Sequence, residues 1–233
     1  MSFGNMLILI LAPILGGLMA LTLKLKNQNN YKLVLSFSGA FLFSITLLHL
    51  LPYVFLQNAN AGIYILIGFF IQIILEQLTK GVEHGHFHVH HENNYYVFSV
   101  LVGLSLHSFM DGLPLGNTIA LTQNHDSLLY GISLHKIPEG FALASIMLAA
   151  HYKRITIAAF IFLFSFIAPV GTYVSGILGE SQPDLLLPIM ALAIGSFLHV
   201  STTILFESES GHHHFGWKKI LAILFGAGLA IFL

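Results

Sequence analysis

The chain has 233 residues, 56% of them hydrophobic and 8% charged, a net charge of −1 and no cysteine. Soluble domains carry about a quarter charged residues, so a water-soluble globule is excluded. The near-zero charge argues against a nucleic-acid or strongly acidic partner, and the missing cysteines rule out disulfides and thiolate metal sites.

A helix crossing ~30 Å of hydrocarbon needs about 20 apolar residues. Read at that length, the sequence predicts an all-α chain of eight transmembrane helices over 6–24, 33–56, 62–80, 95–121, 127–150, 155–178, 185–206 and 217–233. The connections are too short for a soluble domain, so residues 1–233 are expected to form one membrane domain. Met1–Asn5 holds no basic residue, unlike a cleavable signal peptide, and the first span is expected to be retained.

In chain order, Lys24, Lys26 and Lys32 fall in the first connection and Lys80 at the third. Lys153 and Arg154 fall in the fifth, and Lys218 and Lys219 at the seventh. The second, fourth and sixth connections hold no Lys or Arg. Basic residues of short loops stay cytoplasmic, which puts both termini on the non-cytoplasmic side. The membrane assigned by default is the plasma (inner) membrane.

Three polar groups lie singly within the apolar runs. His49 is in the second span, Glu76 with Gln72 in the third, and His199 before Ser201, Thr202 and Thr203 in the seventh. They are candidates for a pathway, although lone polar groups in a bundle commonly serve helix packing. Gly16, Gly17, Gly226 and Gly228 are expected to permit close helix contacts.

The connection at about 81–94 carries His84, His86, His88, His90 and His91, nearly alternating. His212, His213 and His214 form a second cluster on the same predicted, cytoplasmic side. Such tracts are candidate metal-binding loops, and solvated loops without a transport role are the plainer alternative.

The fourth span contains Ser105-Leu106-His107-Ser108-Phe109-Met110-Asp111-Gly112, and the fifth Ser133-Leu134-His135-Lys136-Ile137-Pro138-Glu139-Gly140. Both read S-L-H-x-x-x-(D/E)-G. Residues four apart share a helix face, so each motif offers an imidazole and a carboxylate in one direction. Antiparallel neighbours can bring both faces to one point, roughly 12–21 Å below the outer helix ends at ~1.5 Å per residue.

Two imidazoles and two carboxylates suit zinc, and also iron(II) or manganese, and the carboxylates balance a divalent charge. Pro114 and Pro138 are expected to bend or break their helices there. Ionisable groups inside spans usually mark a pathway or a site. A lone histidine would favour a packing role, whereas two matched pairs favour a metal. No H-E-x-x-H occurs, so the metalloprotease pattern is missing and no enzymatic activity is expected.

These two spans resemble the signatures of the ZIP (Zrt/Irt-like) family of divalent metal transporters. The resemblance implies movement of zinc, or iron or manganese, into the cytoplasm as transported substrate, with no prosthetic group. It also implies a bundle whose first three spans mirror the last three around a central pair, 3+2+3. Carried over, the ligands are His107, Asp111, His135 and Glu139.

Many family members hold a second ion through groups after each histidine and an acid in span six. Here those positions are Ser108, Lys136 and Ala168. Lys136 is therefore expected to replace the second metal, its ammonium reaching Glu139 or Asp111 and leaving a mononuclear site.

The rivals are a cation-efflux carrier, a membrane-embedded metal-dependent hydrolase and a metal sensor. The first is expected to have six spans and a soluble C-terminal domain. The second needs a general base, yet both carboxylates are already ligands. The partners expected are the ion and the lipid bilayer, with homodimerisation left open.

Overall fold

A computed structural model describes residues 2–22, 28–82, 94–116, 125–206 and 216–232. Every regular element among them is helical: α1 (Phe3–Thr22), α2 (Gln28–Ile45), α3 (Leu51–Gln57), α4 (Gly62–Thr79), α5 (Asn94–Gly112), α6 (His125–Ala149), α7 (Arg154–Phe164), α8 (Ile167–Ser181), α9 (Leu186–Phe206) and α10 (Trp217–Phe232). Six helical stretches are long and apolar enough to cross a membrane: Phe3–Thr22, Tyr31–Gln57, Ala59–Thr79, Tyr95–Gly116, Arg154–Ser181 and Pro183–Phe206. Helix α6 falls outside that group because it carries His135, Lys136 and Glu139, and α10 because it has only 16 residues.

Large apolar side chains such as Leu11, Ile63, Ile74, Leu163 and Phe225 are more than half exposed. The charged groups of the two motifs are buried instead. An outside of hydrocarbon around an ionic centre is the arrangement a bilayer stabilises.

Prolines account for part of the local geometry. Pro52 has no N–H to give to the turn before it. The helix adjusts through a π turn over Thr46–Leu50, where Leu51 N–H donates to Thr46 O. Pro114 likewise ends α5 at Gly112, and the chain continues as a 3-10 turn over Leu113–Gly116. The regular helix expected to reach 121 therefore stops just after Asp111.

Pro138 does not break α6, which runs unbroken through it; its carbonyl accepts a hydrogen bond from Tyr31 Oη at 3.4 Å. The break occurs in the sixth predicted span instead, at Ser165 and Phe166 between α7 and α8. Pro169, in the first turn of α8, suits that start.

Glycines set the closest helix approaches. A Cβ on Gly140 of α6 would lie 2.1 Å from Pro13 O of α1, and one on Gly16 of α1 1.9 Å from Ile137 O of α6. On the other motif, a Cβ on Gly112 of α5 would lie 2.0 Å from Ala168 O of α8, and one on Gly171 of α8 2.2 Å from Phe109 O of α5. Gly112 and Gly140 end the two motifs, and Phe109 and Ile137 stand three residues before them. Outside this group α4 packs on α9, and α10 on α2. Gly226 of α10 meets Phe37 O, whereas Gly228 has nothing near it.

A backbone carbonyl cannot move aside as a side-chain tip can. Gly140→Ala and Gly112→Ala should each cost about 1–3 kcal/mol, the usual range for overpacking, and lower the thermal midpoint of the purified protein. Gly228→Ala, where the added methyl meets open space, should leave that midpoint unchanged or slightly raised. Equal midpoints for all three variants would contradict the packing described.

Candidate metal site

Helices α5 and α6 bring the two motifs together as their spacing predicts. His107, Asp111, His135, Lys136 and Glu139 are each 1% exposed. Burial on that scale stabilises only groups that find partners. One ligand atom from each of His107, His135 and Glu139 lies within 4.8 Å of the other two.

Glu139 Oε1 is the centre of the cluster, 3.2 Å from His107 Nε2 and 3.3 Å from His135 Nε2. The imidazoles meet edge to face, with ring centroids 5.9 Å apart. Asp111 stands outside the three-residue group but touches it, with Oδ2 3.4 Å from His107 Nε2. His107 Nε2, both ring nitrogens of His135 and Asp111 Oδ1 are buried without a hydrogen-bond partner. Nitrogen and oxygen lone pairs converging in this way form a donor set for a borderline divalent cation.

Lys136 lies inside the cluster rather than turning toward the bilayer surface. Its Nζ donates to Asp111 Oδ2 at 2.5 Å, and to Glu139 Oε1 and Oε2 at 2.9 and 2.8 Å. The ammonium, expected to reach one carboxylate or the other, reaches both. Ser108 is also buried. Ala168 is buried against Gly112 and offers only a methyl. Thr172 Oγ1 donates to Gly112 O at 2.9 Å, tying α8 to the end of the motif.

A second layer comes from other helices. Gln72 of α4 is fully buried, and its Oε1 lies 3.1 Å from His107 Nδ1 and 2.9 Å from Ser196 Oγ of α9. One turn further along both helices, His199 Nε2 and Glu76 Oε2 pair at 2.6 Å, with the ring edge-on to Phe69. Those two pathway candidates are thus joined to each other. His49 is apart from them, with Nε2 3.5 Å from Ala230 O of α10. The loop candidates His84, His86, His88, His90, His91, His212, His213 and His214 lie outside the described residues.

Apolar membrane-crossing helices around a buried His/carboxylate cluster define a polytopic membrane protein with a candidate cation site. The family described as ZIP Zinc transporter matches residues 83–233, well over half of the chain, and the chain belongs to it. Protein zntD of Dictyostelium discoideum is 29% identical over 172 residues, covering 65% of this chain and 25% of that relative. The chain therefore spans about a quarter of the length of this curated relative.

Proposed function

We propose that the chain carries a divalent transition metal, zinc first and iron(II) or manganese as alternatives, across the membrane into the cytoplasm. His107, Asp111, His135 and Glu139 are its ligands. The observation that carries this reading is the meeting of His107, His135 and Glu139 ligand atoms within 4.8 Å, fully buried between two helices. Two carboxylates offset the ion's charge where water cannot.

In this reading Lys136 takes the place of a second ion, so the site is mononuclear. All eight apolar segments cross the membrane, in a 3+2+3 order around α5 and α6. The matched glycine contacts of α1 with α6 and of α8 with α5 support that order. Both termini face away from the cytoplasm.

Purified protein in liposomes should accumulate zinc saturably, with iron(II) and manganese as competitors. The natural lack of cysteine makes orientation easy to read. A cysteine at Asn60 should react with an impermeant reagent applied outside cells, and one at His151 should not. Absence of zinc flux would reject the transport reading. Labelling of His151 alone would reverse the proposed direction.

A further inference from the structure

A neutral imidazole carries hydrogen on one nitrogen and a lone pair on the other, and the partner of the first decides which one can bind a metal. For His107 that partner is Gln72. Its carbonyl oxygen can only accept, so the 3.1 Å contact requires the hydrogen on Nδ1. Nε2 is then the nitrogen turned to the cluster, 3.2 Å from Glu139 Oε1 and 3.4 Å from Asp111 Oδ2. Ser196 Oγ donates to the same Gln72 oxygen at 2.9 Å. That contact ties the Gln72 amide, as it sits behind His107, to a second helix, α9. His135 has no counterpart, since both its ring nitrogens are buried without a hydrogen-bond partner.

We propose that Gln72, held by Ser196, is a positioning residue that fixes His107 with hydrogen on Nδ1 and Nε2 presented to the transported ion. The inference rests on the transport reading above and adds an asymmetry to it: His107 is preset from α4 and α9, while His135 orients only when the ion arrives. Partners behind metal-binding histidines commonly set ring orientation in this way. Neither Gln72 nor Ser196 belongs to the repeated motif, and each sits on a helix that carries no ligand.

Nitrogen-15 spectra of histidine-labelled protein in lipid nanodiscs test this directly, with His107 assigned by its loss in His107→Asn. The wild type without metal should show His107 protonated at Nδ1. Gln72→Met keeps the side-chain length, removes the acceptor and should release that preference. In liposomes the same variant should raise the half-saturating zinc concentration about 10–100-fold, the usual effect of losing such a partner, while largely keeping the maximal rate. Gln72→Glu restores an acceptor and should recover the Nδ1 proton and most of the lost affinity, which a packing defect would not do.

An Nε2-protonated His107 in the wild type overturns the proposal, and so does unchanged half-saturation in Gln72→Met. Were Gln72→Met to misfold, the wild-type spectrum and the milder Ser196→Ala variant decide the matter. Unaltered zinc transport in His107→Asn would count against the metal site itself, a result separable from the proton's position.

Discussion

Glu139→Ala should reduce zinc flux in liposomes by at least 100-fold while the protein still inserts and purifies normally. Glu139 is the group on which the rest of the site converges. Its Oε1 approaches His107 Nε2, His135 Nε2 and Lys136 Nζ, and its Oε2 takes a second bond from Lys136. Losing a partner that merely supports a metal ligand costs about 10–100-fold in affinity or activity, so losing a proposed ligand that joins both helices should cost more. His107→Ala, His135→Ala and Asp111→Ala should also abolish most flux. Flux near wild type in both Glu139→Ala and His135→Ala, normalised to inserted protein, would remove these residues from the path.

The second large effect should come from Lys136→Met. In the protein as it stands, one ammonium bridges two carboxylates that water does not reach. Removing one partner of a buried ion pair costs about 3–5 kcal/mol, because the charge left behind is uncompensated. The metal-free variant should therefore melt well below wild type. Zinc should restore much of the difference, since a divalent ion can take over the role of the ammonium; a ligand at 100 times its Kd adds about 2.7 kcal/mol.

Stoichiometry gives the complementary reading. Two carboxylates, one ammonium and one divalent cation sum to +1, and a second cation would raise this to +3 in a low-dielectric interior, where unpaired charge is costly. Wild type should bind one ion between α5 and α6, and Lys136→Asn should admit a second. A metal-free Lys136→Met as stable as wild type, or two ions between these helices in wild type, would refute this role for Lys136.

The convergence of the two motifs was legible because helix periodicity turns a four-residue spacing into a shared face. His107 with Asp111, and His135 with Glu139, needed no tertiary information to be paired. The reach of Lys136 followed from its place beside His135 and three residues before Glu139. In the sequence Gln72 is only a polar neighbour of Glu76, and Ser196 carries no signal. They lie 124 residues apart, and only the packing of α4 on α9 makes them one unit behind His107.

Breaks in helices were legible only in part. Pro114 ended regular α5 through its missing donor, yet Pro138, read the same way, sits inside an unbroken α6. The interruption at Ser165 and Phe166 lies in a mostly apolar run whose nearest helix breaker, Pro169, falls in the first turn of α8, and apolar length alone predicts a continuous span there. Of the glycines expected to mark close contacts, Gly16, Gly17 and Gly226 have neighbours within 3 Å of an added Cβ and Gly228 has none. A glycine in a sequence permits an approach without requiring one.

The glycine crossings beside the ligands have a mechanical consequence. Backbone carbonyls of α1 and α8 fill the space where the last residue of each motif would carry a side chain, so α5 and α6 meet those neighbours backbone to backbone with no flexible side chain between them. Interiors packed to this density pass a displacement on rather than absorbing it. In the proposed site, a shift of Asp111 or Glu139 on ion arrival would therefore be passed to α8 or α1, two helices that carry none of the four proposed ligands.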